Sequence, residues 1–530
     1  MDALTTTLVL TAPVAAPCAV AGAHALTLAK ARRTAPAAPR PVPVPAGATS
    51  LPYGPESGMP PPDPEPDAAA GRVSPWWGVV PPLAVLGCGA VLASALPRGG
   101  ALPALDGLLR ADALTAWMLL VTGAVALIAC ATLASQPAGE HPSARGAALL
   151  QALVQTFLGA MCLAAVTANL GVLWVAIEAT TLVTAFLVGH RRTRRSVEAA
   201  WKYVVICSAG IVLAFLGTVL VYSAARQAGI DEEHALDWPT LVAHAHALDP
   251  SVTRLGVSLV ILGFGAKAGL APLHAWLPDA YSQTPAPVCA LMSGVLLSIA
   301  FSAILRYEVI ADAALGDGWT RTLLAGIALL TLALATALLL AQRDYTRMLA
   351  YSSMEHMALI ALGTAIGTPL ARAAVLLHIA GHGLAKSVAF CAAGHVLRLT
   401  GTTLVGRVRG LLARLPWLGG AFGLAVLALL GFPPFSLFAS ELGIVRAGFT
   451  AGLGRVTAAA LLLVLIAFAA LAVRTARMVL GPPPAPAPAS FGEGAVWPLV
   501  LGLAACAALG VATGPLTGLL HDAAATIGGR

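Results

Sequence analysis

The chain has 530 residues, of which 58% are apolar and 10% charged, and its mean hydropathy is +0.84. Soluble domains carry about 25% charged residues, so this composition excludes an ordinary soluble globule. The formal net charge of +7 could indicate a nucleic-acid partner. The basic residues are spread over separate loops, however, so we do not expect the chain to bind nucleic acid.

Runs of about 20 apolar residues, the length that crosses a bilayer as a helix, recur along the whole chain. Because only helices and closed barrels satisfy the backbone in lipid, these runs predict an all-α polytopic membrane protein. We predict fourteen transmembrane helices, in the spans 3–29, 76–97, 112–134, 147–167, 170–189, 199–222, 253–275, 287–310, 320–341, 346–367, 371–397, 416–447, 455–480 and 494–518.

The loop charges predict the orientation. Every dense basic cluster follows an odd-numbered span, whereas the longest loop after an even-numbered span, 223–252, is rich in acidic residues. Cytoplasmic loops carry an excess of Lys and Arg, so we expect a multi-pass protein of the cell (plasma or inner) membrane with both termini outside the cytoplasm. The clusters are Lys30, Arg32 and Arg33; Arg191, Arg192, Arg194 and Arg195; Arg343 and Arg347; Arg398, Arg407, Arg409 and Arg414; and Arg474 and Arg477.

Two segments outside the regular spans carry further information. No basic region precedes 3–29, so we expect residues 1–29 to be a first transmembrane span and not a cleavable signal peptide. Residues 30–75 form a cytoplasmic insert whose stretch 35–68 is proline-rich, which predicts disorder or polyproline-like structure.

The eight cysteines lie singly in apolar segments, without any C-x-x-C pair. This spacing argues against iron–sulfur, zinc and disulfide frameworks. No phosphate loop or dinucleotide fingerprint appears in a strand–helix context. We therefore expect the chain to bind no metal and no cofactor, and any redox chemistry to occur in partner subunits.

Lysine is rare and deeply placed. Among the 31 basic residues only four are lysines, and three of these, Lys202, Lys267 and Lys386, lie within predicted spans. Arginine keeps its proton under essentially all conditions, whereas a buried lysine can lose its own near neutral pH. This distribution is typical of a membrane protein that handles protons.

Several ionisable residues lie at one depth. At 1.5 Å per residue they are roughly 14–21 Å inside their helices, near the middle of a hydrocarbon core about 30 Å thick. Ionisable groups inside the membrane are costly and usually functional. The set predicts a midplane row of exchangeable charges, made of Glu178, Lys267, Glu355, His356, His382 and Lys386.

Proline interrupts two of the spans that carry such groups. Lys267 is followed by Pro272 and Pro278, and GFPPFSLFASE places two prolines before Glu441. Mid-helix proline removes a backbone hydrogen bond, and paired breaks in two halves mark transporter sites. The fifth and tenth spans each carry a midplane acid, and the seventh and twelfth each carry a break. This offset predicts two inverted repeats, 147–311 (helices 4–8) and 319–480 (helices 9–13), flanked by spans 2–3 in 76–146 and a last span and tail in 494–530.

Six ordered segments resemble the proton-conducting, antiporter-like membrane subunits of respiratory complex I, membrane-bound hydrogenases and multisubunit cation/proton antiporters. Within that family, SMEHM and PPFSLFASE are most similar to component F of hydrogenase-4, with the chain M subunit of bacterial complex I as a near relative. The segments are LWVAIEATTLVTAFLVGH (173–190), EAAWKYVVICS (198–208), KAGLAPLHAWLPDAYSQTPAPV (267–288), RDYTRMLAYSSMEHM (343–357), HGLAKS (382–387) and GFPPFSLFASE (431–441).

The resemblance implies roles for individual residues. It implies that Glu178 pairs with Lys267, and that a relay continues through His356, His382, Lys386 and Glu441. Relatives in complex I usually carry a lysine on the eighth helix, where SGVLLSIAFSAILRY offers Ser298. That departure favours a hydrogenase-type member, with water or Lys386 bridging the gap.

Some roles stay open. Lys202 lies four residues after Glu198, so an interfacial ion pair is as good an interpretation as relay duty. For Glu355, which lies next to His356, relay duty is likewise one interpretation and stays open. Glu441 could also pair with Arg446, and we expect His378 to be structural.

We predict a proton-translocating subunit without a redox centre of its own, driven by a partner oxidoreductase with other membrane subunits and a peripheral redox arm. The alternatives are a subunit of a multisubunit Na⁺/proton antiporter, a chain M subunit of NADH-quinone oxidoreductase, and an unrelated solute carrier.

Overall fold

The computed structural model describes residues 1–34, 74–136, 144–316, 318–482, 496–512 and 514–529, and the proline-rich stretch 35–68 lies outside them. The described part is almost entirely helical. Its α-helices are α1 Ala3–Thr34, α2 Val80–Ala95, α3 Ala113–Ala134, α4 Ala144–Val166, α5 Leu170–Val188, α6 Arg194–Gln227, α7 Trp238–Ala243, α8 Pro250–Lys267, α9 Trp276–Gln283, α10 Ala286–Leu291, α11 Leu297–Leu315, α12 Gly318–Ala341, α13 Tyr345–Ile366, α14 Pro369–Thr400, α15 Leu411–Arg414, α16 Pro416–Leu429, α17 Ser436–Thr450, α18 Gly454–Leu480, α19 Trp497–Val511 and α20 Gly514–Thr526.

Ten helical segments of the described residues are long and apolar enough to cross a membrane, and the bent pair Trp497–Val511 and Leu516–Thr526 would make an eleventh. The protein is therefore a multi-pass helical membrane protein, as predicted. The other predicted spans coincide with α8, α13, and the pair α16 and α17. The number fourteen stays a prediction.

Both interruptions predicted from proline are present. Residues 268–275, which include Pro272, separate α8 from α9, and residues 430–435, which include Pro433 and Pro434, separate α16 from α17. Proline cannot donate the backbone hydrogen bond that a continuing helix needs. Each break therefore leaves helix ends within a predicted span; the end of α8 is buried, whereas residues 432–434 of the second break are exposed.

A short hairpin departs from the all-α prediction. Strand β1, Leu102–Ala104, pairs antiparallel with β2, Leu109–Ala111, before α3 begins. Leu105, Asp106 and Gly107 between them have φ of 49°, 54° and 89°, the left-handed backbone that a tight turn requires. Strands of three residues are too short to show an alternating apolar pattern, which is why the sequence did not reveal them.

Glycines bring α6 and α8 into backbone contact. A Cβ on Gly263 would lie 2.5 Å from the carbonyl oxygen of Gly210, and a Cβ on Gly217 would lie 2.4 Å from that of Gly256. Small residues allow helices in a membrane to approach this closely. The close packing holds the end of α8, at Lys267, against α6.

A π-helical segment, Met292–Leu296, joins α10 to α11 and is fully buried. A Cβ on its Gly294 would lie 2.9 Å from the carbonyl oxygen of Gly383 on α14. Short π segments are frequent at functional sites. Here the segment places the first half of the chain in backbone contact with the helix that carries His382 and Lys386.

Candidate functional site

Lys267 is the last residue of α8 and has no exposed surface. Its Nζ donates a hydrogen bond of 2.8 Å to Oγ1 of Thr181 on α5 and another to the phenol oxygen of Tyr203 on α6. The Nζ atom also lies 4.8 Å from the centroid of the Tyr203 ring. Three helices therefore meet at this ammonium, and the groups that hold it are neutral oxygens and a ring face.

Glu178 lies three residues before Thr181 on α5 and is half-buried. Its Oε2 atom is buried without a hydrogen-bond partner. None of the ion pairs in the described ranges includes Glu178 or Lys267. The structure thus brings the helix of Glu178 to Lys267, while pairing of the two charged groups stays a prediction.

Lys386 on α14 repeats this arrangement in the second half of the chain. It is fully buried, and its Nζ donates to the carbonyl oxygen of Leu349 at 2.8 Å and to the hydroxyl of Ser352. Both acceptors belong to α13, which also carries Glu355, a carboxylate with 6% exposure. As at Lys267, the lysine is held by neutral oxygens.

A chain of histidines connects α13, α14 and α17. Nδ1 of His356 lies 3.1 Å from Nε2 of His378, and Nδ1 of His378 lies 3.0 Å from Oγ of Ser440. The rings of His356 and His382 are 5.1 Å apart between centroids, but in the described residues neither ring nitrogen of His382 has a hydrogen-bond partner. A neutral imidazole donates from one nitrogen and accepts at the other. The hydrogen bonds therefore join His356, His378 and Ser440 into a path along which a proton can move by tautomer exchange, and His382 lies beside this path.

Glu441 stands at the end of this path. Ligand atoms of His356, His378 and Glu441 all lie within 4.8 Å of one another. A Cβ on Gly431 would lie 2.4 Å from Oε2 of Glu441, so the backbone of the second helix break packs against the carboxylate. The three side chains could hold a cation, but two of their nitrogens are engaged with each other. In the described residues His356 and His378 are hydrogen-bonded to each other, and Glu441 lies near them without a hydrogen bond to either.

Hydroxyl groups and rings lie between the two lysines. Oγ of Ser293 in the π-helical segment is 2.8 Å from Oγ of Ser353, the neighbour of Ser352. Ser298 on α11 is fully buried, and its Oγ has no hydrogen-bond partner. A polar group that is buried alone is uncommon and costly. The Ser298 hydroxyl is therefore a buried group available to a water molecule.

Four aromatic residues, Tyr203, Trp276, Tyr281 and Phe390, form a row of neighbouring rings. Its ring centroids are 5.0 Å apart for Tyr203 and Trp276, 6.2 Å for Trp276 and Tyr281, and 5.3 Å for Tyr281 and Phe390. Each pair meets edge to face, which is a favoured geometry. The row links the surroundings of Lys267 to α14, one turn beyond Lys386.

Lys202 lies elsewhere. Its side chain is 46% exposed and forms ion pairs with Glu198 at 2.8 Å and with Asp279 at 3.3 Å. Asp279 also pairs with Arg347 at 2.9 Å. The structure places Lys202 in a surface cluster of charges, which supports the ion-pair interpretation over relay duty.

Sequence reasoning missed two buried residues. His378, for which the sequence favours a structural role, is hydrogen-bonded to both His356 and Ser440. Its four-residue spacing from His382, which puts both on one helix face, could have indicated its place beside the other histidines. Glu308 on α11 is 2% exposed, and its Oε1 has no hydrogen-bond partner. Glu308 lies near the end of a predicted span, where an acidic residue is expected at the membrane–water interface.

Comparisons with known proteins agree with this architecture. The transmembrane family described as NADH:quinone oxidoreductase/Mrp antiporter matches residues 167–467. A hydrogenase-4 component F homolog from Methylacidiphilum infernorum is 38% identical over 309 residues, covering 58% of this chain and 65% of that protein. NADH-quinone oxidoreductase subunit N from Desulforudis audaxviator is 33% identical over 381 residues, covering 69% and 74%.

A solved structure supports the fold. A chain of the membrane-bound sulfane sulfur reductase, an archaeal respiratory membrane complex, superimposes with a TM-score of 0.79 over 99% of this chain and 97% of its own length, at 21% identity. At that identity the likeness concerns the fold. The overlap with the component F homolog is just under two thirds of that protein's length.

Proposed function

Because the chain belongs to the NADH:quinone oxidoreductase/Mrp antiporter transmembrane family, we propose that it is the proton-translocating subunit of a complex I-like oxidoreductase of the membrane-bound hydrogenase (hydrogenase-4) type. It moves protons through buried lysines, histidines and carboxylates, while electron transfer takes place in partner membrane subunits and a peripheral redox arm.

The observation that carries this proposal is the pair of fully buried lysines held by neutral oxygens. No ion pair in the described residues includes Lys267 or Lys386. A buried ammonium without a counter-charge is costly, and a nearby carboxylate favours its charged form. Approach of Glu178 to Lys267 would therefore favour proton uptake, and its withdrawal would favour release.

From Lys267 the proton would pass across the hydroxyl-lined middle of the molecule to Lys386, and on through the histidine path. Water molecules would bridge the steps at Ser298 and at Oε2 of Glu178, because buried polar atoms without a protein partner usually bind water. The proposed relay residues are Glu178, Lys267, Ser298, Lys386, Glu355, His382, His356, His378 and Glu441.

The same proposal includes fourteen spans and two inverted repeats with both termini outside the cytoplasm. Three correspondences support it. Glu178 lies on α5, the fifth predicted span, and Glu355 lies on α13, the tenth. The breaks α8–α9 and α16–α17 fall in the seventh and twelfth predicted spans. Each half also carries one fully buried lysine.

The family also includes antiporters, so a subunit of a multisubunit Na⁺/proton antiporter is the second candidate, and a chain M subunit of NADH-quinone oxidoreductase is the third. Ser298, at the place where complex I relatives usually carry lysine, favours the hydrogenase type. Family membership removes the unrelated solute carrier.

Purification from native membranes in mild detergent tests the proposal. Co-purification of hydrogenase or quinone-reductase subunits is the expected result, and recovery with antiporter subunits alone would contradict the oxidoreductase assignment. In the same complex, Lys267→Ala should abolish proton pumping while assembly survives. Retained wild-type pumping would contradict the role of this lysine.

A further inference from the structure

A large cavity opens beside the relay, among the ends of α1, α4, α5 and α14 and the segment that leads into α10. Its volume is about 1290 Å³, above the ~300–1,000 Å³ of usual small-molecule pockets. It lies at the level of the arginine-rich loop after α5, which is the cytoplasmic side in the proposed orientation. None of the proposed relay residues lines it.

The walls of the cavity are apolar. They include Leu28 on α1, Leu149 and Leu153 on α4, Phe186 on α5 and Phe390 on α14. Phe186 and Leu149 are 68% and 36% exposed. Large exposed apolar side chains on transmembrane helices face the bilayer, so the cavity is accessible to acyl chains from the side.

The mouth of the cavity is basic. Arg145 at the start of α4, Arg191 and Arg192 after α5, and Arg398 near the end of α14 line it together with His190. No Asp or Glu is found among the described residues that line it. Guanidinium groups present paired donors that match phosphate oxygens. The cavity thus combines a phosphate-binding mouth with an apolar interior.

We propose that this cavity binds an anionic phospholipid, with the phosphate at the arginines and an acyl chain along α4 and α5. Basic pockets between transmembrane helices on the cytoplasmic side bind anionic lipid headgroups in general. A lipid in this position would contact the ends of α5 and α14. Glu178 and Lys386 lie further along these two helices.

The lipid fits better than two other occupants. Free phosphate would use the arginines but leave the apolar walls uncovered. The acidic stretch 56–67, which follows α1 in the chain, would match the charge, but Met59 is its one large apolar side chain. A phospholipid matches both parts of the cavity.

Binding is tested on the purified full chain in mild detergent, by native mass spectrometry and by the thermal unfolding midpoint. The probes are phosphatidylglycerol, phosphatidylcholine and inorganic phosphate. Phosphatidylglycerol should bind at least tenfold more tightly than phosphatidylcholine and raise the midpoint, and phosphate should leave it unchanged. Equal effects of the two lipids, or a phosphate effect equal to that of phosphatidylglycerol, would overturn the proposal.

Variants locate the binding. The triple variant R191Q/R192Q/R398Q should lose the preference for phosphatidylglycerol, whereas R407Q/R409Q/R414Q, which removes the same charge from outside the cavity, should keep it. Leu153→Trp retains every arginine and narrows the cavity, and it should weaken binding as well. Equal binding of phosphatidylglycerol by both triple variants would overturn the proposal. Lipid binding that is seen only after deletion of residues 36–66 would also overturn it, because the acidic stretch would then be the occupant of the cavity.

Discussion

At the scale of single residues, the site consists of ionisable groups that form no ion pair in the part of the chain that the structure describes. Lys267 and Lys386 each donate to a hydroxyl and to one further oxygen, and the histidines contact one another and Ser440. Such surroundings hold a proton weakly enough to pass it on, which a buried ion pair would not do. This geometry supports the proposed relay between the two lysines and the histidines.

The histidine chain gives the first prediction. His378→Ala removes the link between His356 and Ser440, and we expect proton transfer in reconstituted vesicles to fall by about 100-fold, the range of general acid–base contributions. His24→Gln is the matched control, because His24 is also buried but bonds only within its own helix, at the Val20 carbonyl oxygen, 2.9 Å away. Equal transfer in the two variants would contradict the relay.

For four residues of the site the sequence predicted burial, but not the groups that they contact. Lys267, Lys386, His356 and His382 were identified because ionisable groups are rare in such apolar spans and their depth follows from simple counting. Their partners, such as Thr181 and Ser352, are common polar residues that no pattern distinguishes. They become significant only once α5 and α13 are packed in place.

At the scale of elements, close packing of α6 against α8 positions Lys267. Apolar run length predicted most helices, and proline predicted both breaks. The β1–β2 hairpin and the π-helical segment depend on local backbone choices over three to five residues, which leave too little pattern to detect.

Glycine substitutions on α8 test the packing. Gly263→Ala places a Cβ 2.5 Å from backbone atoms of Gly210 and Ala214, so we expect a destabilisation of about 1–3 kcal/mol from overpacking and loss of pumping. Gly265→Ala, two residues away, meets only the Leu270 side chain at 3.7 Å and should be neutral or slightly stabilising. Thermal unfolding and vesicle pumping measure both, and similar behaviour of the two variants would contradict the account.

A loop outside the membrane spans supports α5. Asn169 caps this helix through the Gly171 and Val172 amides, Asp237 accepts from the Asn169 amide at 3.1 Å, and His234 lies 2.9 Å from Asp237. The hydrogen bond to Asp237 raises the pKa of His234 above its usual value. Its stabilising effect is therefore present in full below the unfolded pKa, about 6.5, and is lost as pH rises through the folded pKa.

We accordingly expect His234→Gln to lower the unfolding temperature at pH 5.5 and to have no effect at pH 9. The two proteins would be compared in one detergent at both pH values. A difference that is constant with pH would show that the charge of His234 does not contribute.

At the scale of the whole molecule, two halves with similar breaks and one buried lysine each meet at the π-helical segment and α14. The family model matches residues 167–467, so the proline-rich stretch 35–68 lies outside the matched region. Deleting residues 36–66, which lie outside the described ranges, should leave proton transport unchanged within a factor of about two. Transport would be measured in vesicles at equal protein content, and a loss of proton movement would show that the stretch takes part.

The central claim is that Lys267 works by exchanging its proton and not by supplying a fixed charge. The most direct measurement compares proton pumping by Lys267→Arg with the wild type, in assembled complexes that show equal electron transfer. Arginine keeps its charge and does not release its proton. Lys267→Arg should therefore fail to pump, and pumping at the wild-type rate would contradict proton exchange at this lysine.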